Sequence, residues 1–223
     1  MIPLEQLDST KIPGTDGELR LMRRGRDHMI LFGRNELMSS RLRGSEEALA
    51  ALPAERLRDR SRPRFLIGGL GMGFTLRAAL DQLPPKAEIV VAELVPAIVE
   101  WARGPLAHLF GDSLDDPRVT IRVGDVGDAI ATPAEGYDAI LLDVDNGPDA
   151  LVHPDNDKLY GDTGLRAARA ALKPGGILAI WSAYQDKVFA NRLKRAGFEV
   201  DEVKVRATGG RKGAHHVIWL AKR

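Results

Sequence analysis

Between Gly68 and Gly73 the chain reads Gly-Gly-Leu-Gly-Met-Gly, and the three apolar runs that follow each lead to an acid: Glu93, Asp125 and Asp143. Glycines at this density admit positive φ and let a ligand approach the backbone closely. The spacing Gly69-x-Gly71-x-Gly73 departs from the dinucleotide fingerprint G-x-G-x-x-G, because Phe74 occupies the place of the third glycine. A pyrophosphate on a helix N-terminus is therefore disfavoured. Glu93 lies 22 residues beyond Gly71, where an acid accepts two hydrogen bonds from a ribose diol. Asp125, within Gly124-Asp125-Val126-Gly127-Asp128, can accept from an adenine amino group, which offers only donors. Asp143 opens Asp143-Val144-Asp145-Asn146-Gly147-Pro148. Each acid alone is more often a loop residue or a helix cap. Three uncompensated carboxylates on one rim are costly, and a cationic ligand relieves that cost.

These residues need a scaffold that delivers them together. Phe65-Leu66-Ile67 reads as a strand and Thr75 to Leu83 as a helix. Ile89 to Ala92 is a second strand, Pro96 to Phe110 a second helix, and Val119 to Val123 a third strand. Ala139 to Leu142 is a fourth strand, a continuous apolar run of the kind buried on both faces. A helix over Gly164 to Leu172, a fifth strand over Ile177 to Trp181 and a helix over Asp186 to Ala196 follow. The alternation then stops: Phe198 to Val205 and His215 to Ala221 are strands joined by a turn at Gly209 to Gly213. The pattern predicts an α/β fold with a doubly wound, mostly parallel Rossmann-like sheet and an antiparallel C-terminal hairpin. Ligands of such sheets bind beyond the carboxyl ends of the strands, where the glycines and acids fall. Upstream, the first 14 residues read as an arm, Glu18 to Arg23 and His28 to Gly33 as a small β-hairpin, and Ser45 as the N-cap of a helix. The charged stretch Arg56 to Pro63 is a plausible joint, so residues 1–62 are expected as an N-terminal unit and 63–223 as the nucleoside-binding catalytic domain.

Composition narrows the function. The absence of cysteine excludes disulfides, thiolate metal sites and a cysteine nucleophile. No run reaches membrane-spanning length and no signal peptide is visible, so the expected setting is the cytoplasm without a membrane partner. Aromatic residues make up only 5% and none interleaves with a basic run, which gives nucleic-acid binding no support. Charge is uneven: residues 63–185 hold 10 Lys/Arg against 17 Asp/Glu, whereas residues 186–223 hold 10 against 4. An acidic middle attracts cations. Asp143, Asp145 and Asn146 have oxygens suited to magnesium, but neighbouring loop acids are common by chance and no metal is expected. The long stretch from Asp143 to Tyr160, with His153, Asp155, Asn156 and Asp157, has the length of a lid. Tyr160 suits either an acceptor pocket or packing. His215 and His216 read as structural, and Ser182 lacks a partner for a nucleophile's role.

The ordered motifs resemble the spermidine synthase-like (polyamine aminopropyltransferase) family within the S-adenosylmethionine-dependent class I methyltransferase superfamily. The resemblance runs from about Leu19 to the C-terminus. It rests on the N-terminal hairpin, Gly69 to Arg77, Ala92-Glu93-Leu94-Val95-Pro96, Gly124-Asp125, Tyr137 to Asp143, and Leu172-Lys173-Pro174-Gly175-Gly176. It implies a transferase that alkylates a small-molecule amine, nominally moving an aminopropyl group from decarboxylated S-adenosylmethionine, and commonly a homodimer. The alternatives are a methyltransferase using S-adenosylmethionine itself, or a non-catalytic nucleoside-binding protein. The implied nucleoside site is Gly69, Gly71, Gly73, Glu93, Leu94, Asp125, Val126 and Asp143; the implied catalytic pair is Asp143 with Asp145. The chain departs from the family pattern in three places. Met72 stands where the family's glycine turn has an Asp that holds the aminopropyl ammonium, and a thioether cannot pair with a cation. The second acid after the fourth strand is displaced to Asp145. Ser45-Glu46-Glu47-Ala48-Leu49 does not match the family's Tyr-His-Glu stretch.

Overall fold

A computed structural model of the chain describes residues 2–133, 135–143, 159–208 and 214–223. Four strands open it: β1 (Glu5–Lys11), β2 (Glu18–Arg24), β3 (Asp27–Phe32) and β4 (Asn35–Ser39), paired antiparallel in that order. The expected hairpin is thus the inner pair of a four-stranded sheet, and the expected arm contains an edge strand. β1 is mostly polar, so its sequence does not announce a strand. Pairing with β2 and a hydrogen bond of 2.6 Å from Trp101 Nε1 to Asp8 hold it.

Helix α1 (Gly44–Arg56) follows, and then a second sheet built from β5 (Arg64–Gly68), β6 (Glu88–Glu93), β7 (Val119–Val123), β8 (Tyr137–Leu142), β9 (Leu172–Ser182), β10 (Glu199–Arg206) and β11 (His215–Lys222). The strand order is β10-β11-β9-β8-β5-β6-β7. β5 to β9 run parallel, and β11 lies antiparallel between β9 and β10. The helices between are α2 (Phe74–Gln82), α3 (Pro96–Arg103), α4 (Ala107–Phe110), α5 (Val126–Ala131), α6 (Asp162–Ala171) and α7 (Lys187–Arg195). The expected single helix from Pro96 to Phe110 breaks at Gly104, because Pro105 supplies no N–H and disfavours helical geometry in the residue before it.

Alternation along the parallel strands makes two cores. Phe65, Ile67, Ile89, Val91, Ala139 and Leu141 face one layer with α1, α2, α3 and the N-terminal sheet. Leu66, Val90, Ile140, Leu142, Leu178 and Ile180 face the other, with residues of α5, α6 and α7. A period of two with both faces buried is what parallel strands between helix layers require. At the amino end of the sheet, buried Asp138 accepts hydrogen bonds from the Arg64 amide and Lys173 Nζ, both at 2.8 Å. This fixes β8 between its neighbours.

His28 of β3 packs at a tilt against His108 of α4, with ring centroids 4.9 Å apart. Burial, and then the positive charge of His108 and Arg23, hold its pKa below the ordinary 6.5. The unfolded chain therefore binds protons first as pH falls, and stability present above about 6.5 is lost below it. Burial depresses His216 in the same direction. The denaturant midpoint is expected to fall between pH 7.5 and pH 5.5, with a smaller drop in His28→Gln; an unchanged drop in that variant would remove His28 from the account.

Candidate active site

The topology puts the site at one place. β6 and β7 succeed β5 on one side, whereas the chain returns to β8 and β9 on the other. The gap between β5 and β8 is the switch point where an α/β sheet opens a crevice. Gly68 pairs with both Ala92 and Leu142, and Glu93 pairs with Val123. The carboxyl ends are therefore level, and the glycine turn, Glu93, Asp125 and Asp143 share one edge.

Gly69, Gly71 and Gly73 have φ of 89°, 51° and 79°. Two of them also face close neighbours. A Cβ on Gly71 would lie 2.6 Å from Met38 Cε, and one on Gly73 would lie 2.3 Å from Phe110 Cε1. The turn is thus clamped between β4 and α4, and the Met72 amide donates to Met38 Sδ at 3.1 Å. Gly73→Ala combines a left-handed backbone with a ring clash and is expected to cost about 3 kcal/mol in denaturant unfolding. Adding Phe110→Leu recovers the packing share only.

Glu93 is 4% exposed. Its Oε2 accepts from the Leu70 amide at 2.7 Å and its Oε1 from the Val95 amide at 2.8 Å. The acid read as a ribose ligand also braces the turn. A carboxylate has about four acceptor sites, so the two roles are compatible. Asp125 is exposed and caps α5, its Oδ1 accepting from the Gly127 amide at 2.7 Å. Val126 begins that helix and packs in the second core, while Leu94 is half-buried beside the first.

Asp143, half-buried after β8, lines a small open cleft together with Gly69 to Thr75, Met38 and Glu46. Asp145 lies outside the described residues, as do Asn146, His153, Asp155, Asn156, Asp157 and the turn at 209–213. Among the described residues no group of three or more His, Asp or Glu is placed to hold a metal ion, and no helix is long and apolar enough to cross a membrane. Tyr160 is buried edge-on against Phe189 in the second core, so it packs. The Ser182 hydroxyl donates to the Tyr184 carbonyl at 3.0 Å.

The sequence did not single out Met38 or Glu46 as cleft residues. The expected N-cap at Ser45 is also corrected: α1 begins two residues earlier than that cap implies, at Gly44, Arg43 is its N-cap, and that cap makes no side-chain bond. The buried Ser45 hydroxyl instead donates to Glu46 Oε2 at 2.8 Å and lies 3.0 Å from His216 Nδ1. A hydroxyl has one proton, so while it donates to Glu46 the His216 Nδ1 must be the donor to it. His216 is held in turn by the edge of Trp181, at 4.7 Å between centroids. One histidine of the pair points inward to a structural contact, as alternation on β11 requires, and His215 is exposed.

The methyl or aminopropyl donor implied by the resemblance fits this edge in kind. The turn presents backbone without charge, and Glu93, Asp125 and Asp143 would supply acceptors and negative charge to such a donor-rich cation.

No family model matches the chain. It is 35% identical over 125 residues to a polyamine aminopropyltransferase of Mycobacterium tuberculosis, a match that covers 55% of this chain and 23% of the relative. The chain thus spans about a quarter of that relative's length. Its backbone superposes on a spermidine synthase crystallised with the transition-state analogue AdoDATO, with a TM-score of 0.75 and 17% identity, covering 97% of this chain and 72% of the other. Human methyltransferase-like protein 13, in complex with SAH, superposes with a TM-score of 0.56 and 24% identity over 78% of each chain. With its glycine turn and acids at one edge of a seven-stranded sheet, the chain is similar in sequence over about half its length to polyamine aminopropyltransferases and shares the class I methyltransferase-like fold of spermidine synthase.

Proposed function

We propose that the chain transfers the aminopropyl group of decarboxylated S-adenosylmethionine to a small-molecule amine. The observation that carries this reading is the placement of Asp143 in the same cleft as the glycine turn, across the switch point. The likeness to aminopropyltransferases supplies the donor.

The neutral amine nitrogen attacks the methylene carbon next to the sulfonium. The new N–C bond forms as the S–C bond breaks, and its electron pair returns to sulfur, which leaves as methylthioadenosine. In this reading Asp143 takes the proton that the amine must lose and stabilises the positive charge growing on nitrogen. The turn and Glu93 hold the nucleoside so that carbon and nitrogen meet in line. In this reading Asp125 accepts from the adenine amino group, Leu94 and Val126 flank the base, and no metal is used. A homodimer is what the family resemblance implies, and a cytoplasmic setting is the expectation from composition.

The test is release of methylthioadenosine from decarboxylated S-adenosylmethionine across a panel of mono- and diamines, assayed beside methyl transfer from S-adenosylmethionine. Amine-dependent release supports aminopropyl transfer. Methylated amine with no methylthioadenosine replaces it with methyl transfer, and nucleoside binding without turnover replaces it with a binding role.

A further inference from the structure

We propose that Glu46 is the specificity residue of the cleft: it receives the primary ammonium of the donor and discriminates against a donor that carries a carboxylate beside that ammonium. This rests on the reading that the cleft takes an S-adenosyl sulfonium nucleoside.

The argument starts from charge. Among the described residues that line the cleft, only Glu46 and Asp143 are charged. The turn offers backbone, and Met72 is fully buried and carries no charge. A decarboxylated donor brings two cationic centres, the sulfonium and an ammonium three carbons away. Asp143 is committed to the reacting end. The second cation needs a partner, because a charge taken out of water unpaired is costly. Glu46 supplies it from α1, outside the sheet edge altogether.

Its surroundings suit that task. Glu46 is half-buried, and burial pushes its carboxyl pKa up, with the charge of Glu47 adding to the effect. The Ser45 hydroxyl and its own amide offset part of that cost. A carboxylate in this condition gains from an arriving cation. The contact from His216 to Ser45, and from Ser45 to Glu46, fixes where the carboxylate stands before any ligand binds. The same fixed charge meets S-adenosylmethionine differently, since its α-carboxylate is attached to the carbon that bears the ammonium. Like charges placed together at a binding surface penalise the wrong partner.

The experiment is calorimetric titration of the full chain and its Glu46→Gln variant with decarboxylated S-adenosylmethionine, S-adenosylmethionine and methylthioadenosine, which lacks the aminopropyl ammonium. Wild type is expected to prefer the decarboxylated donor over S-adenosylmethionine by about 10-fold or more, the worth of one charge-assisted contact. Glu46→Gln is expected to bring that ratio to about one while leaving methylthioadenosine affinity within about 2-fold. Glu46→Asp, which keeps the charge, is expected to retain a preference. An unchanged ratio in Glu46→Gln overturns the proposal, and so does equal weakening of all three ligands, which marks a structural role. Wild type that binds methylthioadenosine without preferring the decarboxylated donor also overturns it, yet leaves the nucleoside reading standing. Wild type that binds none of the three removes both.

Discussion

Asp143→Asn is expected to lower turnover by about 10²–10⁴-fold while leaving methylthioadenosine affinity within a few-fold of wild type. The substitution keeps the side chain's shape and removes its charge and its capacity to accept a proton. The backbone beneath it is firmly placed. Ile140, Leu141 and Leu142 are essentially unexposed, and Leu142 is paired with Gly68 on one side and Ile180 on the other. The asparagine therefore occupies the same place, so the loss reads chemistry rather than displacement. Amines at neutral pH are mostly protonated, and the step needs the neutral form beside a base. Single-turnover release of methylthioadenosine under saturating amine measures the chemical step directly. Loss smaller than about 3-fold, against the 10²-fold floor for general-base work, would take the proton transfer away from Asp143.

The sheet was legible because its strands are apolar on both faces. Phe65 to Ile67, Ile89 to Ala92 and Ala139 to Leu142 leave little else to be, and each lies inside an observed strand. Where a strand owes its existence to a partner, local pattern fails. Glu5-Gln6-Leu7-Asp8-Ser9-Thr10-Lys11 is polar, and what places it is β2 and the contact from Trp101, more than ninety residues away. The same division runs through the site. That acids stand at the strand ends was readable; what each touches was not. Asp125 spends one oxygen on capping α5, a helix the sequence reading left out. Two of the three glycines answer to Met38 and Phe110 as well as to any ligand.

Glu46 was visible only as an acid in the first turn of a helix, a common and locally sufficient explanation. It reaches the cleft because α1 docks beside α2 and against β9 to β11, with the Gly44 amide donating to the Ala207 carbonyl at 2.9 Å. That docking is a tertiary fact, assembled from residues 163 positions apart, and no window of sequence contains it.

Glu93→Gln is the variant expected to damage most at once. One carboxylate joins the turn after β5 to the turn after β6 by accepting the Leu70 and Val95 amides, in a position that water scarcely reaches. A glutamine has one acceptor oxygen and one NH₂. Whichever way it is oriented, a donor faces a backbone donor, and one buried N–H is left unmatched. The penalty for such a group, together with the loss of charge assistance at the other, is expected to lower unfolding free energy by about 2–4 kcal/mol. In the proposed reading the glycine turn is the nucleoside's floor, so methylthioadenosine affinity is expected to fall with it, by about 10-fold or more. Stability comes from denaturant unfolding and affinity from calorimetry at a temperature where the variant is folded. If stability falls and affinity holds, Glu93 is a brace alone and the ribose is held elsewhere. If affinity falls while stability holds, the backbone bonds count for little and the diol is its principal partner. A loss of both is what one acid shared between turn and ligand requires.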